Sequence, residues 1–187
     1  MAVSKGAENW KSKKWFNIYA PQILGSNNIG EMPANDEKAV IGRVIKVSMP
    51  WITNNPSHSF MLVGLKVTEA DGNSAHTQLK YIEQTYSYLH SLVRRHSSII
   101  YTVDKITTQD AAVLTIKLML TTRSKVTTPK KKAMRTVLSD FVKGYAASKD
   151  KEAFVKELLD GTFQSECTKK IKNIAEINKL ELKKLEL

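Results

Sequence analysis

A chain of 187 residues is long enough for one well-buried core with appendages and too short for two full-sized domains. With 42% hydrophobic and 25% charged residues it excludes wholesale disorder, and its 29 lysines and arginines against 18 acids, a net +11, point to a polyanionic partner. A membrane span is excluded, because the longest apolar runs, such as Ile116–Leu120 interrupted by Lys117, fall far short of the ~20 residues required.

Met1–Lys5 carries no apolar leader, and the single cysteine, Cys167, permits neither an intramolecular disulfide nor a cysteine-based zinc site, so a reducing, cytoplasmic setting is expected. Residues 1–20 mix Lys5, Lys11, Lys13 and Lys14 with Trp10, Trp15, Phe16 and Tyr19 and read as a basic, aromatic arm leading into a first strand. Pro21–Asp36, with Gly25, Gly30, Pro33 and paired asparagines, reads as a loop. The β-branched cluster from Val40 to Val47 predicts a strand in which Gly42 admits a close approach, and Met49–Ser59 reads as a second loop. Alternation at Met61, Val63, Leu65 and Val67 before Asp71-Gly72 predicts a hairpin over about 60–68 and 74–79.

Ile82, Tyr86, Leu89 and Val93 recur at helical steps, predicting a helix over about 82–95 closed by Arg94-Arg95 at its cation-favouring end. Strands follow over about 98–106 and 112–121, joined by a turn at Thr107–Asp110. Met134, Val137, Leu138, Phe141, Val142 and Tyr145 trace the stripe of a helix over about 129–147, with Thr128 as cap and Pro129 first. Phe154–Leu159 predicts a short helix stopped near Gly161, Phe163–Ile174 another, and Leu180, Leu182, Leu185 and Leu187 a returning strand. Strands before helices predict an α+β fold: a small antiparallel β-barrel with appended C-terminal helices and a returning strand. The arm would be residues 1–20, the barrel core with one helix 21–125, and a helical part with the final strand, packed on the core, 126–187.

Catalytic signatures are missing from the sequence. The eight glycines stand singly, no two of His58, His76, His90 and His96 share a metal-ligating helical face, and no histidine neighbours Cys167. Glu152, Glu157 and Asp160 lie on lysine-rich helices, where intrahelical pairing explains them. No enzyme, cofactor or small-molecule substrate is expected.

Arg123, Lys125, Lys130, Lys131, Lys132 and Arg135 place six cations in thirteen residues without one acid. Lys130–Lys132 fall in a first helical turn, where each exposed cation opposes the helix dipole by roughly 0.3–1 kcal/mol. A phosphate reverses that sign, since helix amides and lysines at the same end both attract an anion. Lys11, Lys13 and Lys14 among Trp10 and Trp15 suit RNA, lysines meeting phosphates and a ring stacking on an unpaired base; equally, Trp15 and Phe16 could pack on the barrel and leave only the lysines to RNA. Arg94 and Arg95 are explained by the helix dipole or by RNA.

Taken in order, Lys13-Lys14-Trp15-Phe16-Asn17-Ile18-Tyr19-Ala20-Pro21, Ile29-Gly30-Glu31, Ile41-Gly42-Arg43-Val44 and Tyr88-Leu89-His90-Ser91-Leu92-Val93-Arg94-Arg95 resemble the archaeal and eukaryotic small-subunit ribosomal protein family S-three-A, also called eukaryotic-type S-one. The resemblance runs over essentially the whole chain, and the compact length is similar to that of archaeal members. It implies a structural protein of the small subunit, on the platform near the 3′ end of its RNA and the messenger exit. Ribosomal RNA, neighbouring ribosomal proteins and the messenger are the implied partners, and Arg43 joins the expected RNA contacts. Asp110-Ala111 departs from the Asp-Gly of the family's second hairpin, and Ala75-His76-Thr77-Gln78 from a segment with an aromatic before its threonine. A free single-strand-binding RNA or DNA barrel is the alternative, against which stands the scarcity of strand aromatics beyond Phe60 and Tyr101.

Overall fold

Phe16 and Ile18 are buried while Trp15, Asn17 and Tyr19 between and beside them are exposed or half-buried, the alternation of a strand, β1, over Lys14–Tyr19. The computed structural model describes residues 13–187, which cluster as two units, residues 13–57 with 63–80 and residues 58–62 with 81–187. Residues 14–19 of the expected arm are therefore sheet, and Trp10 and Lys11 lie outside the described residues.

In the first unit β2, Asn28–Ala34, pairs antiparallel with β1 from Lys14↔Ala34 to Tyr19↔Asn28, which corrects the loop expected over Pro21–Asp36. Pro33 is tolerated because β2 ends the pairing order and needs no second ladder. The strand expected from Val40 is instead a helical turn, α1 (Glu37–Val40), and a bend at Gly42 before β3, Val44–Ser48. Gly42 serves through its φ of +86°: a Cβ there would meet nothing within 4 Å, so close approach is not the reason. The expected second loop holds a short helix, α2 (Met49–Thr53), with Pro50 in its first turn. β4 (Met61–Asp71) and β5 (Ser74–Gln84) form the expected hairpin, longer than predicted, with Gly72 at φ +55°. β1 runs parallel to β5, Asn17 facing Ser74, so the strands are not all antiparallel. Phe16, Ala34, Val40, Val67 and Ala75 form a buried cluster on which Met32 and Ile45 pack.

In the second unit β5 continues through Gln84, which removes the first turn of the helix expected over 82–95. Only α3, Tyr86–Ser91, is helical, and Arg94 and Arg95 lie in the loop beyond it. β6 (Ile99–Thr107) and β7 (Val113–Thr122) pair from Ile99↔Thr121 to Thr107↔Val113. Their loop is Gln109–Ala111: Ala111 N–H donates to Thr108 O at 3.0 Å, Thr108 N–H donates to Ala112 O at 3.1 Å, and Ala111 takes φ +56°. α4 (Thr128–Ala147), α5 (Lys151–Asp160) and α6 (Thr162–Ile171) follow, Gly161 ending α5 at φ +80°. The β6–β7 loop ties to them, Gln109 N–H donating to Lys149 O and Lys151 N–H donating to Asp110 Oδ2, both at 3.0 Å.

β8, Ile177–Glu186, pairs antiparallel with β5 on one side (Tyr81↔Glu186) and with β7 on the other (Ile116↔Leu185), so the chain's last strand is central. Leu114, Ile116, Leu118 and Leu120 of β7 and Leu180, Leu182 and Leu185 of β8 are buried, as are Met134, Leu138 and Val142 of α4. Phe154 and Phe163 meet edge to face at 5.5 Å between α5 and α6. The described strands order as β2-β1-β5-β8-β7-β6, with β3 joined through β4 to β5. Among the described residues the fold is α+β with an eight-stranded sheet and six α-helices, and their pairing is open, without the closure of the expected barrel.

Candidate nucleic-acid interface

The basic stretch Arg123–Arg135 leaves β7 and enters α4. Thr127 is the N-cap residue with no side-chain cap hydrogen bond, Pro129 sits in the first turn, and no acid accompanies it. The first helical bond is Lys131 N–H to Thr127 O at 3.0 Å, so the preceding amides of this 20-residue helix are left to an outside acceptor. Arg123, Lys125, Lys130, Lys132 and Arg135 are exposed and Lys131 is half-buried. Burial of Met134 and Leu138 against the sheet fixes this orientation, because it turns the remaining face of α4 to solvent.

Ser98 and Thr122 hold the Arg94-Arg95 loop to this stretch. Thr122 N–H donates to Ser98 O at 3.0 Å, Ser98 N–H donates to Thr122 Oγ1 at 3.0 Å, and Val126 N–H donates to Ser98 Oγ at 3.1 Å. His96, at φ +62°, turns the loop back, and Arg123 is anchored by its N–H to Glu176 O at 3.0 Å. Arg94 and Arg123 thereby line one cleft of 340 Å³ with Asn178 and Lys179 of β8. Among the described residues none of Arg94, Arg95, Arg123, Lys125, Lys130, Lys131, Lys132 and Arg135 is ion-paired. Carboxylates instead pair with Lys117, Lys149, Lys179 and Lys184. Eight cations of this unit without an ion pair thus fall on one loop pair and one helix start, while others, such as Lys143, Lys156 and Lys170, lie elsewhere on the helices.

Lys179 escapes sequence reasoning, since its place beside Arg94 and Arg123 follows from the long-range pairing Thr121↔Lys179. It is engaged by Glu181 at 2.8 Å and by the Tyr88 hydroxyl. Glu181 accepts from Tyr88 Oη at 2.8 Å and from Gln84 Nε2 at 2.6 Å. Burial first, with the Glu181 carboxylate adding to it, raises the Tyr88 hydroxyl above its usual pKa, and the Glu181 and Tyr88 hydrogen bonds raise Lys179 against the opposing effect of burial. The Lys179 ammonium and the Glu181 carboxylate thus offset each other's charge at 2.8 Å.

The other expected contacts lie in the first unit. Trp15 is 51% exposed while Phe16 is buried at 1%, so the adjacent rings divide between solvent and core. Trp15 faces Pro33 across the β1–β2 ladder, and the Arg43 guanidinium donates to Pro33 O at 3.5 Å. Lys14, Trp15 and Arg43 are exposed in this unit, whereas Arg94, Arg95 and the Arg123–Arg135 set belong to the other.

Cys167 is fully buried in α6, where burial pushes its thiol up to about 12 and removes the thiolate a nucleophile needs. Among the described residues no group of histidine, cysteine, aspartate or glutamate could hold a metal ion, and no helix is long and apolar enough to cross a membrane. An α+β fold with unpaired cations gathered at loops and a helix start presents a surface whose charge suits a polyanion. The chain belongs to the Ribosomal S3Ae family, whose model matches residues 2–187. It is 33% identical over its whole length to the small ribosomal subunit protein eS1 of Pyrobaculum aerophilum, covering 84% of that protein. With the eS1 of Archaeoglobus fulgidus it shares 32% identity over 96% of the chain and 86% of the relative. With that of Methanoculleus marisnigri it shares 28% over 99% and 94%.

Proposed function

We propose that this protein is a structural, non-catalytic constituent of the small ribosomal subunit, working in the cytoplasm. The observation that carries the reading is the gathering of Arg123, Lys125, Lys130, Lys131, Lys132 and Arg135, free of acidic partners, around the uncapped start of α4. Such a surface costs stability until phosphates neutralise it, and membership of a ribosomal family supplies ribosomal RNA as the polyanion. Arg94 and Arg95 extend the contact; Trp10, Lys11, Lys13, Lys14, Trp15 and Arg43 supply a second one from the first unit and the chain start. The site of assembly is the platform near the 3′ end of the RNA and the messenger exit, beside neighbouring ribosomal proteins and within reach of the messenger.

Sedimentation of tagged protein from its own cells, at low and at high salt, tests this. Co-migration with small subunits that survives high salt is the expected result. Residence in the light fractions alone would overturn it in favour of a free single-strand binder.

A further inference from the structure

Asn178 and Lys179 are shared by two clefts of the second unit. One is the 340 Å³ cleft carrying Arg94 and Arg123. The other, of 460 Å³, is lined by Leu159 and the edges of the buried Met61 and Leu180 beside Gln164, Ser165 and Thr168, a size within the ~300–1,000 Å³ range of small-molecule pockets. We propose that the two clefts together seat one unpaired nucleotide of RNA, its phosphate between Arg94 and Arg123 and its base in the pocket beside Met61.

Charge assigns the phosphate. The Lys179 ammonium and the Glu181 carboxylate, which also borders the larger cleft, neutralise each other at 2.8 Å, so the cations left for a ligand are Arg94 and Arg123. Planar guanidinium groups suit a phosphate's oxygens, and both backbones are tied through the Ser98–Thr122 bonds, which limits the entropy lost on binding. Hydrogen bonding assigns the base. Gln164, a lining residue of the larger cleft, gives its amide nitrogen to Leu158 O at 2.9 Å and leaves its buried Oε1 without a partner, an acceptor that meets a base's amino or ring N–H once the side chain turns toward the cleft. Leu159, half-buried, with the edges of Met61 and Leu180 behind it, offers apolar contact to a base face. A paired, stacked base could not enter, so the ligand is a single-stranded or bulged nucleotide.

This inference rests on the RNA-binding reading and is tested apart from it. The full-length chain is titrated with a short mixed-sequence single-stranded RNA and with the blunt duplex of the same sequence, over a series of salt concentrations. Ser165→Trp, which fills the larger cleft from an exposed position, weakens single-strand binding roughly tenfold or more, leaving the salt slope and duplex binding unchanged. Arg94→Ala with Arg123→Ala lowers the single-strand salt slope by about 0.7, the contribution of one phosphate held by two arginines. Undiminished single-strand binding by Ser165→Trp, or a slope loss of about 1.4 in the arginine variant, overturns the seat while leaving co-sedimentation with small subunits intact. Loss of co-sedimentation by the unaltered protein overturns the ribosomal reading instead.

Discussion

Ala111 occupies the third position of the β6–β7 loop at φ +56°, a place where glycine meets no steric penalty. An L-residue in the left-handed region costs about 1–2 kcal/mol. Glycine removes that cost and gives back about 0.4–1 kcal/mol through the greater freedom of its unfolded chain. The balance favours Ala111→Gly by about 0.7 kcal/mol, which in a chain of this size raises the melting temperature by roughly 2 °C. The loop bonds Thr108 N–H to Ala112 O and Ala111 N–H to Thr108 O persist in the variant, so the change acts on backbone strain alone. Urea unfolding followed by circular dichroism reads the difference, with Ala111→Val as the opposite control, since a β-branched side chain tolerates this conformation least. A glycine variant less stable than the parent by about 0.5–1 kcal/mol, at an unchanged m value, is the behaviour of an ordinary backbone position and would refute the reasoning.

Replacing Lys130, Lys131 and Lys132 together by glutamate turns three unfavourable dipole interactions into favourable ones, each change worth about 0.3–1 kcal/mol. The free protein becomes more heat-stable while its co-sedimentation with small subunits falls; a variant both less stable and fully retained contradicts the account. Glu157 is held below the usual carboxylate range by its hydrogen bonds from Lys149 first and from Tyr145 second, so its contribution is complete at neutral pH and lost as pH drops below the ordinary value of 4.5. Glu157→Gln therefore flattens the acid limb of the stability profile, measured by urea titrations at successive pH values. Tyr145 is raised chiefly by burial, with Glu157 reinforcing it, and stability declines as pH climbs past the usual tyrosine value of 10, a loss that Tyr145→Phe reduces while the raised Tyr88 and Cys167 keep their shares. The Cys167 thiol, buried and raised to about 12, reacts with a thiol reagent at neutral pH only as fast as the protein opens, so labelling that outpaces unfolding would refute its burial.

The elements legible in the sequence are those whose signals are local. Asp71-Gly72 between alternating strands, the apolar step of α4, the stop at Gly161 and the alternation of Leu114, Ile116, Leu118 and Leu120 each report within a few residues, and the structure agrees with them. The acid-free cations of Arg123–Arg135 and the single cysteine were legible because they are composition, whereas the full burial of Cys167 came from the structure. Ile82 read as helical because its spacing to Tyr86 suits a helix, yet the pairing of Ile82 with Leu185 claims it for the sheet, and the helix begins only at Tyr86. The parallel neighbour of β1, the central place of β8, the open order of the strands and the arrival of Lys179 beside Arg94 and Arg123 were all decided by tertiary structure. Ladder partners far apart in the chain are chosen by the hydrogen bonds and buried area the whole sheet gains, and no local periodicity records that choice.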